Sequence, residues 1–308
     1  MNVKADLCNH GDMLTHAKID NKRRGIVMML LACLFFSLMD SVMKKLAGHY
    51  PAIQVTALRA LTSMPLIIAY VLWRRALPGL WQVRWPLHLL RVGLGVAMLT
   101  SFAFAIRTLP LTEAYALFFV SPLFIATLSI PLLGERVHRA SWIAIVCGMA
   151  GVLVVLKPTG AGIISLAGLA ILFSASCYAL SAITVRLLSR TDSSESMVFW
   201  LMLGVSLAAT AAALPGWRPV NPEHYWLLAG LAVTGFIGQL TITEAFKLAP
   251  AATVTPFEYS ALAWGLGLDL LIWQTVPGLR VFIGAAIIVA SGIYLARHEA
   301  KGIEAEHP

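Results

Sequence analysis

Long apolar runs separated by short polar breaks dominate the chain. Ten of these runs are long enough to cross a hydrocarbon core, which takes about 20 helical residues. The hydrophobic residues are continuous rather than alternating, so the pattern predicts helices and not the two-residue repeat of a transmembrane β-barrel. The predicted spans are roughly 26–47, 52–73, 87–106, 111–133, 139–156, 163–185, 196–214, 225–246, 252–273 and 279–296.

Composition supports this prediction of an all-α integral membrane protein. The 308 residues are 59% hydrophobic and only 12% charged, whereas soluble domains carry about 25% charged residues. The polar stretches 1–24 and 298–308 are interpreted as a disordered cytoplasmic tail and a second cytoplasmic tail. Four potential ligands in the first tail fit no common zinc spacing, so we expect no metal and no cofactor; they are Cys8, His10, Asp12 and His16.

The basic residues are placed asymmetrically about the membrane. With the N-terminus assumed to be cytoplasmic, 16 of the 23 Lys and Arg residues fall on that side, six fall on the far side and Arg59 lies within a span. This bias satisfies the positive-inside rule and predicts that both termini are cytoplasmic. It also explains the net charge of +8 without a nucleic-acid partner, so the expected partners are the lipid bilayer and a small-molecule substrate.

Part of the sequence occurs twice. The stretch AIRTLPLTEAYALFFV at 105–120 aligns with AFKLAPAATVTPFEYS at 245–260, an offset of 140 residues. Arg107 then matches Lys247, and Phe119 matches Tyr259. The chain is therefore predicted to contain two repeats, over 25–157 and 158–297.

Each predicted repeat has five spans, which is an odd number. The second repeat must then cross the bilayer in the opposite sense to the first. Inverted repeats of this kind are typical of secondary transporters, whose substrate site lies near mid-depth and opens alternately to each side. The expected fold is ten transmembrane helices arranged as two inverted five-helix repeats.

Two stretches resemble a known family. SPLFIATLSIPLLGERVHRASWIAIVCGMAGVLVVLKP is similar to the fourth and fifth helices of EamA-type members of the drug/metabolite transporter superfamily, which carry a Gly-Glu-Arg/Lys signature. KLAPAATVTPFEYSALAWGLGLDLLIWQTVP resembles their ninth helix through Thr255, Pro256, Phe257, Tyr259 and Trp264. The resemblance extends from about 26 to 296 and departs from the family at Gln274-Thr275, where many relatives have a second Gly-Glu. It implies ten helices and transport of a small molecule, and we expect a multi-pass protein of the cell inner membrane.

Several charged residues and prolines are interpreted as structural. Arg59 lies where the second helix of that family often has an arginine, and we expect it to pair with a carboxylate or with helix-end carbonyls. Glu113 follows Pro110 by three residues, where an acid in the first helical turn complements the helix dipole. The other structural candidates are Pro250, which precedes the ninth span and starts its helix, Pro256 within that span, and Glu135 of the Gly-Glu dipeptide.

Acidic residues within the spans are candidates for binding or proton coupling. A charge at the centre of a membrane helix costs roughly 2.5–3.5 kcal/mol on insertion scales, so it needs a partner, water or a function. Asp40 could pair locally with Lys44 or face a water-filled cavity, and both alternatives remain open.

The ninth predicted span and the end of the eighth hold three further acids. Glu244 could pair with Lys247, and Glu258 could be a first-turn acid; a binding or proton-relay role is the alternative for each. Asp269 follows Glu258 by eleven residues, which places both on nearly one helical face. The proton-coupling candidates are therefore Asp40, Glu258 and Asp269.

Pro122 lies in the middle of the span 111–133 and removes a backbone donor there, so this helix is the best candidate for a bent, cavity-lining element. Aromatic side chains from both repeats could line the same path, although packing or interface anchoring is the usual function of such residues. The candidates are Tyr115, Phe119, Trp200, Tyr259 and Trp264.

The leading hypothesis is a secondary transporter that exports a small amphipathic or zwitterionic metabolite by alternating access. The resemblance implies substrates such as amino-acid-like compounds, vitamins or opine-type metallophores. Import of riboflavin or S-adenosylmethionine is the alternative. An intramembrane enzyme is disfavoured because the chain has neither H-E-x-x-H nor G-x-S-x-G. A channel is disfavoured because no carbonyl-filter-like segment occurs. The oligomeric state is left open.

Overall fold

Helices dominate the computed structural model of this protein. It describes residues 3–109, 111–134, 139–156 and 165–273, together with a few positions between 279 and 294, and no strand occurs in this part of the chain. The helices are α1 Val3–Ala47, α2 Ala52–Trp73, α3 Trp85–Ala105, α4 Leu111–Phe118, α5 Ser121–Leu133, α6 Arg139–Leu156, α7 Leu166–Leu188, α8 Ser194–Ala213, α9 Tyr225–Leu248, α10 Ala251–Val254 and α11 Ser260–Trp273.

The amino-terminal part of α1 differs from the sequence prediction. Residues 3–24 continue the helix of the first span, where a disordered tail is expected. No proline precedes Pro51, so nothing in this stretch removes a backbone donor and forces the helix to end.

Six helices in the described part of the chain are long and apolar enough to cross a membrane. They correspond to six of the ten predicted spans, and α6 is a shorter apolar helix at a seventh. The span predicted at 279–296 lies mostly outside the described residues. The prediction of an all-helical membrane protein is confirmed, and the count of ten crossings stays a prediction.

The two remaining spans are interrupted at corresponding positions. Phe119 and Val120 separate α4 from α5, and α5 starts with Pro122 in its first turn. In the second repeat, a 3-10 segment at Thr255–Tyr259 separates α10 from α11 and has Pro256 in its first turn. Proline has no backbone N–H, so it is favoured where a new helical segment begins.

Helices of the first repeat pack directly on helices of the second. The main pairs are α1 with α9, α2 with α8, and α3 with α7. Small residues allow close approach: a Cβ on Gly238 of α9 would lie 2.8 Å from the ring of Phe36 on α1. In membranes, where lipid is as apolar as the helices, close packing of this kind holds helices together. The two repeats therefore meet along an extended interface that contains the site.

Candidate functional site

A cavity of about 160 Å³ lies between the two repeats. The first repeat contributes α1, α2, α3, α4 and Phe119, and the second contributes α7, α8, α9, the 3-10 segment and the start of α11. Aromatic and aliphatic side chains form most of its wall. The longer polar side chains that interrupt this apolar lining are Asp40, Arg59, Arg91, Gln239 and Glu258 and the phenols of Tyr115 and Tyr178.

Asp40 and Tyr115 form the first polar pair of the cavity. The Tyr115 phenol on α4 donates a hydrogen bond to Asp40 Oδ2 on α1 at 2.9 Å. The Tyr115 ring is stacked against Phe102, with a centroid distance of 6.4 Å. Asp40 lines the cavity, which was one of its two predicted alternatives. The other alternative, an ion pair with Lys44, is not formed, although the structure describes both residues.

Glu258 and Tyr178 form the second pair. The 3-10 segment places Glu258 in a buried position, with 6% of its surface exposed. The Tyr178 phenol on α7 donates to Glu258 Oε1 at 3.0 Å. Cys33 on α1 lies against the same segment, because its Sγ is 3.8 Å from the backbone oxygen of Glu258. A carboxyl in this setting has hydroxyl and thiol neighbours and no ion-pair partner among the described residues.

The two pairs occupy corresponding spans of the two repeats. Each joins the first span of a repeat to its fourth, interrupted span, but the acid is on the first span in repeat one and on the fourth in repeat two. Asp40 and Cys33, which mark the two pairs on α1, are seven residues apart, or about 10 Å of helix on one face. The cavity therefore has a carboxyl–phenol pair at each of two depths.

Two arginines complete the charged lining. Arg59 is 3% exposed, and its guanidinium carbon lies 5.6 Å from the centroid of the Phe36 ring. It also interacts electrostatically with Asp40. Arg91 is 2% exposed and donates from Nη1 to the backbone oxygen of Met197 on α8 at 2.9 Å. The Nε atoms of both side chains are buried without a hydrogen-bond partner.

The predicted aromatic residues divide into two groups. Tyr115 and Phe119 line the cavity. Tyr259 lies behind Phe119, with ring centroids 5.4 Å apart, and donates to the backbone oxygen of Ile145 at 3.3 Å. The structure thus brings the matched residues Phe119 and Tyr259 together, but only Phe119 is at the cavity wall.

The two tryptophans expected at the site lie elsewhere. Trp200 Nε1 donates to the backbone oxygen of Leu80 at 2.6 Å, and its ring packs edge-on against Trp85. Trp264 is 39% exposed and is not part of the cavity wall. The expectation that both bind substrate is corrected, because their large rings satisfy packing and interface positions instead.

Glu244 also lies outside the cavity wall. It is half-buried on α9, close to Tyr70 of α2. The proposed partner Lys247 donates instead to Ser194 Oγ at 3.1 Å. Near this helix end, the hydrogen bond from Arg74 to Glu195, at 3.2 Å, raises the pKa of the Arg74 guanidinium.

The remaining predicted positions are prolines and acids. Pro250 directly precedes α10, and Pro256 is buried in the 3-10 segment. Pro110 and Glu135 lie outside the described residues, as do the side chains of Glu113, Pro122 and Asp269.

Sequence reasoning missed Tyr178, Gln239 and Arg91. Tyr178 stands among small residues in SASCYALS on the first span of repeat two, at the position that the 140-residue offset matches to Leu38, two residues before Asp40. That proximity was an available signal. Arg91 was placed in the cytoplasmic charge count because it follows the short polar break at 74–84, whereas helix α3 begins at Trp85 and carries it inward.

A helical bundle whose two repeats enclose a cavity with a few charged side chains is typical of membrane transporters. Residues 23–157 and 165–297 each match the EamA-like transporter family. The chain belongs to this family, which confirms the predicted resemblance.

Curated relatives cover nearly the whole chain. It is 30% identical to the riboflavin transporter of Vibrio cholerae over 90% of this chain and 94% of that protein. It is 28% identical to the pseudopaline exporter CntI of Pseudomonas aeruginosa, over 91% of this chain and 98% of that protein. The S-adenosylmethionine uptake transporter of Rickettsia prowazekii is 24% identical, with 92% and 96% covered. These relatives are transporters, which confirms that the chain is a transporter and not an enzyme.

A solved crystal structure has the same fold. Its TM-score is 0.75 at 22% identity, and the match covers 91% of this chain and 98% of that one.

Proposed function

We propose that this transporter exports a small zwitterionic or amphipathic metabolite across the cell inner membrane by alternating access. The proposal includes ten membrane crossings in two inverted five-helix repeats, with both termini in the cytoplasm. The observation that carries it is the cavity between the repeats, whose lining includes two carboxyls and two guanidiniums. A site with both signs of charge complements a molecule that carries both.

The chemistry of the cavity favours an amino-acid-like compound, a vitamin with ionised groups or an opine-type metallophore. Asp40 and Glu258 can accept hydrogen bonds from an ammonium group. A guanidinium matches the planar geometry of a carboxylate. The rings of Phe36, Phe102 and Phe119 offer apolar surface to the rest of the molecule. In a largely apolar pocket, a few placed polar groups determine orientation and specificity.

The direction of transport is proposed from the relative named as a pseudopaline exporter, which is covered almost completely. Import is the second candidate, and it is supported by the relatives named as a riboflavin transporter and an S-adenosylmethionine uptake transporter. The ionisable lining of this cavity suits a charged molecule such as S-adenosylmethionine better than the uncharged riboflavin.

We also propose proton coupling through Asp40 and Glu258. Each carboxyl is at the cavity wall and accepts a hydrogen bond from a phenol. Neither forms an ion pair with a described residue. Uptake of a proton by either group removes a charge that is costly within the membrane. A carboxyl that exchanges protons with whichever side the cavity faces would couple transport to the proton gradient. Asp269 remains a third candidate for this function from its position in the sequence.

The test compares metabolites in cells and medium, with and without the gene. An exporter should deplete a solute inside the cells and enrich it in the medium, and an importer should do the reverse. Purified protein in proteoliposomes should then show saturable flux of that solute, stimulated by the same solute on the opposite side. Product formation without a gradient, or no gene-dependent change in any solute, would contradict the proposal.

Tags on the two termini test the topology independently. Both tags should be accessible only from the cytoplasmic side of spheroplasts. Tags found on opposite sides would require an odd number of crossings and exclude two five-span repeats.

A further inference from the structure

Arg91 is a buried cation at the cavity wall, and the described residues include no ion-pair partner for it. Its side chain is 2% exposed, and in the part of the chain that the structure describes it donates one hydrogen bond, to the backbone oxygen of Met197. Its Nε has no partner, and no ion pair reaches its guanidinium among the described residues. A buried charge without a partner is unfavourable. An arginine of this kind in a membrane helix is therefore expected to bind a ligand or to line a substrate pathway.

Asp192, an acid close to the same end of α3, already has several hydrogen-bond partners. Asp192, just after α7, accepts hydrogen bonds from His88 Nε2 at 2.8 Å, from Thr191 Oγ1 at 2.6 Å and from the backbone N–H of Arg84 at 3.3 Å. His88 is one turn before Arg91 on α3, and it adds no negative charge. Among the described residues, Arg91 therefore has no ion-pair partner.

Arg59, the other arginine of the cavity, has interactions that partly compensate its charge. Its guanidinium interacts electrostatically with Asp40 and lies over the ring of Phe36. Such an arrangement partly compensates the charge within the protein. Arg91 is the cavity arginine that the described residues leave without such compensation.

The depth of Arg91 relates it to the Glu258–Tyr178 pair. α3 and α7 run antiparallel, because Ser174 Oγ donates to the backbone oxygen of Met98 at 2.9 Å and His88 meets Asp192 beyond the end of α7. The bond between Ser174 and Met98 gives a common level on the two helices. Arg91 is seven residues before Met98 on α3, which is about 10 Å along the helix axis. Tyr178 is four residues after Ser174 on α7, which is about 6 Å in the same direction. The backbone positions of Arg91 and Tyr178 thus differ in depth by about one helical turn.

We infer that Arg91 binds the carboxylate of the transported solute while Glu258 faces its cationic group. The inference rests on the proposed transport function and makes it more specific, since the solute must carry a carboxylate. Arg91 has unused donors on the guanidinium for charge-assisted hydrogen bonds. The charges of an amino-acid-like zwitterion are separated by a few Å, which fits the one-turn difference in depth.

The test uses the solutes that cells expressing the wild-type transporter release or take up relative to cells with the empty vector. We expect every such solute to carry a carboxylate. Arg91→Gln should reduce their transport by about tenfold or more, because the charge-assisted hydrogen bonds to the solute carboxylate would be lost. Arg91→Lys should retain part of it, since the charge remains and the planar donor arrangement is lost.

Arg107→Gln is the matched control. Arg107 also donates to a backbone oxygen, that of Tyr50 at 2.6 Å, but it is exposed and lies outside the cavity wall. The Arg107→Gln variant should transport the same solutes as the wild type. Membrane insertion and elution as a single species in detergent establish that each variant is folded.

A second measurement uses only the wild-type protein, so it does not depend on folding of the variants. In proteoliposomes, the most strongly transported solute is compared with its carboxamide, which has the same shape and no negative charge. The concentration of carboxamide needed for half-maximal inhibition of transport should be at least about tenfold higher than that of the solute itself. Equal competition, unchanged transport by Arg91→Gln, or solutes that carry only phosphate or no anion would overturn the assignment of Arg91. The absence of any gene-dependent solute would instead overturn the proposed transport function on which it rests.

Discussion

The phenol of Tyr115 donates to Asp40 Oδ2 across 2.9 Å and ties α4 to α1 at the cavity wall. In the second repeat, the phenol of Tyr178 donates to Glu258 at 3.0 Å and ties α7 to the 3-10 segment. In both repeats, one partner is on the span that is interrupted near mid-length. A single hydrogen bond between an interrupted and a continuous helix can break and re-form at modest cost. The alternating access proposed above would therefore not be prevented by these bonds.

Asp40→Asn tests the first pair. If Asp40 exchanges protons, this variant should insert normally but lose flux driven by a pH gradient, because an amide does not titrate. Tyr115→Phe should insert normally and lower the same flux by about tenfold, since it removes a hydrogen bond to a charged or titrating group. Flux into proteoliposomes with and without an imposed pH gradient measures both effects.

Tyr259→Phe is the control for loss of a phenol. Its hydroxyl bonds to the backbone oxygen of Ile145, away from the cavity wall, so its effect on gradient-driven flux should be small. Unchanged flux in Asp40→Asn would remove Asp40 from the coupling mechanism.

Glu258→Gln tests the second pair against a matched acid. It should lose gradient-driven flux while retaining solute exchange at equal pH on both sides, if Glu258 carries a proton. Glu244→Gln should keep both activities, because Glu244 is half-buried on α9 but is not at the cavity wall. Equal losses in the two variants would show that removal of any acid in this region disturbs the fold, and full activity in Glu258→Gln would exclude proton exchange at this position.

A cysteine at position 119 tests whether the interruption between α4 and α5 faces water. Phe119 lines the cavity and is 3% exposed. In a background without the four native cysteines, Phe119→Cys should react with a membrane-impermeant thiol reagent, and the transported solute should slow the reaction. Labelling followed by mass measurement of the purified protein gives the rate.

Trp264→Cys in the same background is the comparison position. Trp264 is outside the cavity wall and 39% exposed, so any labelling there should not respond to the solute. If Phe119→Cys is unreactive from either side of the membrane, Phe119 has only a packing function.

The pattern of apolar runs was enough to predict the helical class and the position of most spans. Length and continuity of hydrophobic residues are local properties, and a membrane fold follows them closely. The interruption near Pro122 could also be expected, since proline removes a backbone donor at a known position. The extension of α1 to Val3 could not, because a polar stretch with mixed charges is compatible with either a helix or a tail.

The site was less accessible to sequence reasoning. Asp40 and Glu258 stood out because acids are rare in apolar spans, but their partners Tyr115 and Tyr178 are defined by contacts between helices that the sequence does not encode locally. Trp200 was assigned to the cavity from its residue type, yet its indole is bound to Leu80. Arg91 was counted with the cytoplasmic cations, because an arginine near the start of a span and just after a polar break resembles a topological anchor. Only packing shows which side of a helix faces the cavity.

Gly148 on α6 tests the packing that supports the 3-10 segment. A Cβ at this position would lie 2.5 Å from the ring of Tyr259, which is fully buried and follows Glu258 directly. Gly148→Ala should therefore lower the free energy of unfolding by about 1–3 kcal/mol, the usual cost of overpacking a core. Gly230→Ala is the matched control, because its Cβ would lie 3.9 Å from Val42 and alanine is the better helix former. Thermal unfolding of the purified proteins in detergent should show a lower midpoint for Gly148→Ala and an equal or higher one for Gly230→Ala. Equal midpoints for Gly148→Ala and the wild type would mean that the Tyr259 ring moves freely, and the 3-10 segment could then not hold Glu258 in a defined position.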